Sequence, residues 1–482
     1  MSRICVTVTA ETTAELRRKR DDVSDADLVE LRLDTVKDPN VGGALAGRKL
    51  PVILTCRPTW EGGHFTGSEE ERKQILRDGL ARGAEYVDIE WKANFTDLLS
   101  PSAGRRVVLS SHCFDGVPAD LNQRAQAMRA TGAEVIKIAV KTSRLTDCLP
   151  LLDLGAQVAR QGTVLIGMGD CGLATRVLAK KFGSLWTYAG DQKQVGQRTP
   201  SDLIDNFRFR SLTENTEIYG LVGSPISHSV SPAMHNAAFA ATRQDAVYLP
   251  FPAADADDFV KFGHALGLKG ASVTIPFKVS LFDRVDEVYA VARRIGAINT
   301  IRMFDSRWVG GNTDASGFLS PLRDRVELNG ARVAVLGAGG AARAVAVALS
   351  SSNSQVTIYG RNAAKAQEVA MTASAAFGTM PPPAGSWDLL VNCTPVGMYP
   401  KVDDTPLDGS LLTGRHVYDL IYNPTTTRLM REAGKKGCQT IGGLEMLVAQ
   451  ALEQFEWWTG IKAPSGVMRE AALKRLAEFM RQ

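Results

Sequence analysis

The stretch ARVAVLGAGGAARA, residues 331–344, runs from an apolar strand pattern through a cluster of glycines into an alanine-rich helix pattern. That order opens a nucleotide-binding βα unit, because glycines allow a tight turn and bring a pyrophosphate against the helix N-terminal amides. A second apolar run, 355–359, then ends in Gly360, Arg361 and Asn362. An NAD site places a carboxylate there for the ribose 2′-hydroxyl, whereas Arg361 suits a 2′-phosphate, so the expected cofactor is NADP. Residues 321–443 are assigned to this Rossmann-type lobe.

Toward the N-terminus the pattern changes. Apolar runs at 4–8, 28–33, 51–56, 86–90, 106–111, 135–140, 163–168 and 185–189 alternate with amphipathic stretches, the content of a small (β/α)8 TIM barrel. An open sheet is the alternative. Arg32, Arg57, Glu90, His112 and Lys137 lie in or just after the ends of these runs, the face on which barrels build their sites. The polar segment SLTENTE, 211–217, is followed by a new strand at 218–223. The expected α/β organisation is a barrel over 1–211, a linker over 212–217, a lobe over 218–320 completed by helices at 444–482, and the nucleotide lobe.

Composition excludes several classes. With 56 basic and 52 acidic residues the net charge is +4, too balanced for a nucleic-acid footprint. The seven cysteines show no CxxC pair and no zinc spacing, so neither a disulfide framework nor a metal site is expected. The start, MSRICVTVTAETT, reads as a strand without the pattern of an export signal, and no apolar run reaches membrane-spanning length. A cytoplasmic protein with no membrane partner is expected.

Two lysines carry the chemistry. Lys137 is flanked by Ile136, Ile138 and Ala139, so partly apolar surroundings are expected. A neutral amine attacks a ketone to give an iminium, which acidifies the neighbouring C–H, and a base such as His112 takes that proton. Lysine with histidine and no metal points to elimination or aldol chemistry on a hydroxy-ketone. Glu30, Arg32, Arg57 and Arg176 offer hydroxyl partners and guanidinium forks for an anionic polyol. In the other half, Lys278 and Asp314 end the turn-like signatures SVTIPFK and GNTD, a pair able to move a proton at an oxygen during hydride transfer. Ser229, Ser231, Thr274 and Asn299 supply directed hydrogen bonds for a small polyol.

Two resemblances cover the chain. ELRLD (30–34), TCRPTWEGG (55–63), DIE (88–90), SSHCF (110–114), KIAV (137–140), MGDCGLATR (168–176) and VGQ (195–197) resemble type I 3-dehydroquinate dehydratase. The resemblance implies Lys137 as the Schiff-base residue and His112 as general acid and base, oriented by Glu61. It also implies that Glu30, Arg32, Arg57, Arg176 and Gln197 hold the substrate. Lys193, Gln194 and Val195 replace the small Ser-Ala-Pro run usual before the Gly-Gln.

SPISHSVSPAMHN (224–236), SVTIPFK (272–278), GAINT (296–300), GNTD (311–314), GAGGAARA (337–344), NCTPVGM (392–398), DLIYNP (419–424) and GGLEMLVAQA (442–451) resemble shikimate dehydrogenase. That likeness implies Lys278 and Asp314 as the catalytic pair. Ser229, Ser231, Thr274, Asn299, Tyr422 and Gln450 would line the substrate pocket. Gly337, Ala338, Gly339, Gly340, Ala341, Arg361, Thr394, Met398 and Gly443 would contact NADP. Ser272 replaces an asparagine, and Gly360 and Asn362 replace the flanks of the usual Asn-Arg-Thr. Together the resemblances imply a bifunctional shikimate-pathway enzyme that dehydrates 3-dehydroquinate to 3-dehydroshikimate and reduces this to shikimate. The alternatives are a quinate/shikimate dehydrogenase using NAD and a metabolite-sensing regulator built from the same domains. Oligomeric state is not readable from the sequence.

Overall fold

Alternation of side chains along eight short strands shapes the first part of the chain. They are β1 (Arg3–Val8), β2 (Leu28–Arg32), β3 (Val52–Thr55), β4 (Tyr86–Glu90), β5 (Val107–Cys113), β6 (Val135–Lys141), β7 (Thr163–Met168) and β8 (Trp186–Ala189). In the computed structural model, which describes residues 3–99, 104–157 and 161–479, they pair in parallel in the order β7-β6-β5-β4-β3-β2-β1-β8. A parallel bridge between Thr163 and Ser184, with the Leu185 N–H donating to the Thr163 carbonyl at 2.8 Å, draws β7 and β8 together. The sheet is a nearly closed barrel, so the open-sheet alternative falls away.

Successive strand side chains point to opposite faces. Cys5, Leu28, Ile53, Val108, Val135, Val164 and Trp186 fill one apolar layer. Two residues further along the same strands stand Thr7, Glu30, Thr55, Ser110 and Lys137, which share that face by the period-2 rule. The barrel interior therefore changes from apolar to polar within one step of the pleat. By the same rule Ile136 and Ile138 face away from Lys137, and the apolar part of its setting comes from Val135, Ala139 and Tyr188.

By packing, the chain divides into two units, one of 1–217 with 245–266 and one of 218–244 with 267–482. The segment 245–266, strand β10 (Ala246–Phe251) and helix Ala256–Leu266, is grouped with residues 1–217 by packing. Its buried Asp258 accepts hydrogen bonds from the Leu145 N–H (3.0 Å), the Thr146 N–H (2.9 Å) and the Thr146 hydroxyl (2.7 Å). The carboxylate thus satisfies the open amides of the 3-10 turn Leu145–Cys148.

The second unit contains two sheets. β9 (Glu217–Val222), β11 (Gly270–Val273), β12 (Glu287–Val288), β13 (Thr300–Phe304) and β14 (Arg307–Gly311) run in the order β9-β11-β13-β14-β12. β15 (Arg332–Leu336), β16 (Gln355–Tyr359), β17 (Ala376–Gly378), β18 (Leu389–Asn392), β19 (His416–Asp419) and β20 (Gln439–Gly442) are all parallel, in the order β17-β16-β15-β18-β19-β20. This is the doubly wound order in which the sequence of strand addition reverses between β15 and β18, where a crevice for a dinucleotide opens. Helix Gly340–Ser351 packs its alanines and valines, Ala342 to Leu349, into the core of this sheet. Helix Gly443–Thr459 packs on helix Asp314–Leu319, and helix Ser465–Phe479 on helix Ser231–Ala241. Residues 480–482 of the expected terminal stretch lie outside the described residues. Among the described residues no helix is long and apolar enough to cross a membrane.

Candidate active sites

The first site grows from the register of the barrel strands. Thr7 is paired with Glu30, and Ser110 stands between Glu90 and Lys137, so one ring of the interior gathers the polar groups. Lys137 Nζ lies 3.2 Å from Asp88 Oδ2 and 3.5 Å from Glu30 Oε1, and 4.2 Å above the Tyr188 ring. Thr7 and Thr55 hydroxyls each donate to Glu30 at 3.0 Å. Arg57 donates to Glu90 (2.7 Å) and Ser110 (2.7 Å) and pairs with Asp88 at 3.0 Å. Although burial opposes ionisation, the positive Arg57 and Lys137 hold the Asp88 carboxyl well below the usual range. The amine is thus set among carboxylates and an aromatic face.

His112 lies one step beyond this ring on β5. Glu61 Oε1 accepts from its backbone N–H at 2.7 Å and stands 3.3 Å from its Nδ1, fixing the ring's orientation. Burial and the Arg57 charge push the imidazole down to about 4, against the raising effect of Glu61. The ring is therefore neutral at physiological pH and already a base. Measured by the NMR titration of its ring Cε1 proton, assigned by its loss in His112→Gln, His112 is expected to titrate near pH 4. A midpoint near the ordinary value of about 6.5 would sink this assignment. The sign also applies to stability: the part that the neutral ring contributes is complete above about 6.5 and is lost as pH falls toward 4.

The remaining residues of the first set are placed less freely than the sequence implies. Arg32 is clamped bidentate on Asp34, at 2.9 and 2.7 Å. Gln197 reaches Thr7 Oγ1 at 3.4 Å. Arg176 donates to two carbonyls, Tyr188 O (3.3 Å) and Val195 O (2.6 Å), and burial together with nearby Arg198 lowers it to about 10. Its charge is buried against acceptors that do not neutralise it, a setting that favours a bound anion. Lys193–Val195 forms a 3-10 turn, and Val195 packs on the barrel core. Asp88 and Ser110 were not singled out by the sequence reading. The alternation of YVDIE, which puts Asp88 and Glu90 on one face, was the available signal for Asp88.

The second site forms where four chain segments meet. Lys278, in the short helix Phe277–Ser280, donates from Nζ to Asp314 Oδ2 at the start of helix Asp314–Leu319. Asp314 Oδ1 accepts from Asn299 Nδ2 at 2.8 Å, so one carboxylate holds both an ammonium and an amide. Asn299 Oδ1 accepts from the Thr313 N–H at 2.8 Å, and Gln450 Oε1 stands 3.5 Å from Asn299 Nδ2. The structure therefore joins Lys278, Asp314, Asn299 and Gln450 directly. Ser229 and Ser231 share a different turn, the Ser231 N–H donating to Ser229 Oγ at 3.2 Å. Thr274 follows β11, its N–H bound to Val222 O at 2.9 Å. Tyr422 lies after β19, and burial pushes its phenol up.

The glycine loop fits a dinucleotide on its own geometry. Gly337 has φ +111°, which a side chain would strain. A Cβ at Gly339 would meet nothing within 4 Å, and one at Gly340 would lie 3.4 Å from Lys278 Cδ. Helix Gly340–Ser351 begins at Gly339 with no side-chain cap, leaving its first amides open to an anion. Ala338 and Ala341 belong to the same loop and helix start. Across the sheet crossover, Thr394 N–H and hydroxyl donate to Asn392 Oδ1 at 3.0 and 2.7 Å, while Met398 is exposed on the loop beyond. Gly443 starts its helix so close to Leu420 O that a Cβ would stand 2.1 Å from it. Arg361 is exposed after β16.

Comparison with known proteins finds matches in both halves of the chain. The family model of type I 3-dehydroquinase matches residues 4–214. That of the shikimate dehydrogenase substrate-binding domain matches 221–301, that of shikimate/quinate 5-dehydrogenase 322–381, and that of the shikimate 5′-dehydrogenase C-terminal domain 443–473. A shikimate dehydrogenase (NADP(+)) of Methanothermobacter thermautotrophicus is 40% identical over 55% of this chain and 98% of its own length. The solved shikimate 5-dehydrogenase of Thermus thermophilus, in complex with NADP(H) and shikimate, is 34% identical with a TM-score of 0.50, covering 54% of this chain and 99% of that one. The bifunctional 3-dehydroquinate dehydratase/shikimate dehydrogenase of Arabidopsis thaliana, a chloroplastic protein, is 34% identical over 91% of this chain and 78% of its own. With both halves matched in one relative and in the same order, the chain belongs to the family of bifunctional 3-dehydroquinate dehydratase/shikimate dehydrogenases.

Proposed function

We propose that this chain dehydrates 3-dehydroquinate to 3-dehydroshikimate in its barrel and reduces 3-dehydroshikimate to shikimate with NADPH in its second unit. One observation carries the proposal: each unit holds its own lysine paired with a carboxylate, and only Lys278 lies against a glycine-lined, uncapped helix start. The domains are residues 1–211, a linker 212–217, a substrate lobe 218–320 completed by 444–482, and a cofactor lobe 321–443. The chain works in the cytoplasm on small molecules, without nucleic-acid or membrane partners.

In the barrel, Asp88 and Glu30 hold the Lys137 amine in position toward the substrate. The amine then adds to the substrate ketone, water leaves, and the iminium withdraws electrons from the adjacent carbon. Neutral His112, steadied by Glu61, removes a proton there and returns it to the departing hydroxyl. Hydrolysis of the iminium releases the enone and frees Lys137. Arg176 binds the substrate carboxylate, and Glu30, Arg32, Arg57 and Gln197 shape the hydroxyl side of the pocket.

In the second unit, NADPH supplies the hydride when bound, its phosphates held at Gly337–Ala341 and its 2′-phosphate at Arg361. Thr394, Met398 and Gly443 border the same crevice. Lys278 donates a proton toward the ketone oxygen, and Asp314 orients and recharges it. Ser229, Ser231, Thr274, Asn299, Tyr422 and Gln450 bind the hydroxyls and carboxylate of 3-dehydroshikimate.

The test is a steady-state assay with four combinations, shikimate or quinate with NADP or NAD, and a separate assay of 3-dehydroquinate alone. Shikimate with NADP is expected to exceed each other combination by at least about tenfold in kcat/KM, a difference of about 1.4 kcal/mol. 3-Dehydroquinate alone is expected to yield the conjugated enone. A preference for NAD would overturn the role of Arg361, and a preference for quinate the substrate. Absence of all turnover would favour the regulator.

A further inference from the structure

The buried amide of Gln454 occupies a position that neither family signature includes. It lies one helical turn after Gln450 on helix Gly443–Thr459, and its residue is only 1% exposed. Its Nε2 donates to Gln450 Oε1 at 2.7 Å and reaches Thr313 Oγ1 and the Asn299 carbonyl, each at 3.3 Å. Its Oε1 accepts from the Ser272 hydroxyl at 2.5 Å. Both ends of this amide are therefore engaged, and every partner belongs to the segments that frame Lys278 and Asp314.

We infer that Gln454 is a positioning residue for the dehydrogenase site, holding Gln450 away from Asn299 so that Asn299 stays directed at Asp314. The direction of each hydrogen bond makes the case. Gln450 Oε1 has two nearby amide donors, Gln454 Nε2 at 2.7 Å and Asn299 Nδ2 at 3.5 Å. Only the first is at full hydrogen-bond strength. Asn299 Nδ2 is thereby left for Asp314 Oδ1 at 2.8 Å, and Asp314 Oδ2 remains with Lys278. Without the Gln454 donor, Gln450 Oε1 would be a half-buried acceptor with Asn299 as its nearest side-chain amide donor. The cost of leaving it unpaired drives that rearrangement. Asn299 turned toward Gln450 loosens Asp314, and both substrate-facing amides lose their alignment.

The helix does not depend on this amide for its place. Phe455 is fully buried beside it, and Trp458 Nε1 donates to Thr300 Oγ1 at 3.0 Å. Gln454→Leu keeps the approximate volume and removes both ends of the network, so folding is expected to survive.

The inference rests on the proposed reduction of 3-dehydroshikimate, and the experiment separates the two. Wild-type full-length protein is assayed first for NADPH-dependent reduction; absence of turnover overturns that reading and this inference with it. In an active background, Gln454→Leu is expected to lower kcat/KM for 3-dehydroshikimate by about tenfold or more, the loss of one to two buried hydrogen bonds. The KM for NADPH is expected to stay within about twofold, which a general packing defect would not spare. In a Gln450→Ala background the same substitution is expected to cost less than about threefold, since its main partner is already gone. Should Gln454→Leu fail to fold, Ser272→Ala, which releases the other end of the amide, is expected to lower kcat/KM by about threefold. Parity of the folded variant with wild type, full additivity with Gln450→Ala, or equal damage to NADPH and substrate KM would each overturn the inference.

Discussion

Lys137→Ala is expected to remove dehydration of 3-dehydroquinate by about 10⁴-fold or more in kcat, about 5 kcal/mol of barrel chemistry, while NADPH-dependent reduction of 3-dehydroshikimate stays within about twofold. Among the described residues Lys137 carries the only amine in the gathered ring, and no neighbouring group replaces it: Asp88 and Glu30 are carboxylates with hydrogen bonds already made. Removing the cation also leaves Asp88 and Glu30 with less compensating positive charge, from Arg57 and Arg32, so the barrel is expected to lose stability. Circular dichroism and the retained reductase activity distinguish an inactive barrel from an unfolded chain. A direct measurement completes the case. Borohydride added during turnover of the wild type is expected to fix substrate to Lys137, seen as a mass increase on the peptide that carries it. Unlabelled Lys137, or dehydration by the alanine variant at near wild-type rate, would remove the Schiff base from the mechanism.

Lys278→Met should give the reciprocal result. Methionine retains much of the side-chain length and packing beside Gly340 but has no proton to give, so reduction is expected to fall by about 10²–10⁴-fold with dehydration unchanged. NADPH affinity, followed by fluorescence, is expected to hold within about threefold, because the open amides before Ala341 do not depend on the lysine charge alone. Asp314 then loses its cationic partner yet keeps Asn299 Nδ2 and the Asn312-bound backbone amide that orient it. Loss of both activities in a folded variant, here or with Lys137→Ala, would overturn separate sites. Reduction at wild-type rate would move the proton donor elsewhere in the pocket.

Much of the architecture is legible along the chain because both folds use short-range grammar. Strand and helix patterns alternate eight times before residue 190, and each parallel pair in the barrel joins strands adjacent in sequence except β1 with β8. The glycine loop after β15 is legible for a similar reason, since one tight turn and one helix start define it. Side-chain partners are harder. Lys137 was expected in partly apolar surroundings from Ile136, Ile138 and Ala139, but on a strand the adjacent isoleucines face away and its charged companions come from other strands. Asp88, 49 residues earlier, is the closer companion. Arg32 is held by Asp34 in a local fork that sequence spacing did not reveal.

The sequence by itself determined the two strand–helix rhythms, the glycine cradle, the lysine, histidine and aspartate signatures, and the family to which they belong. These depend on residue type and on spacings of a few positions, which local sterics translate directly into backbone. Only the tertiary structure decided what each charged group touches. Strand register brought Glu30 and Asp88 to Lys137, a capping carboxylate on 245–266 tied that segment to the barrel, and helix placement set Gln454 between Ser272 and Gln450. Those partners lie from 4 to 182 residues apart in the chain, and hydrogen bonds and ion pairs act over a few ångströms of space irrespective of that separation.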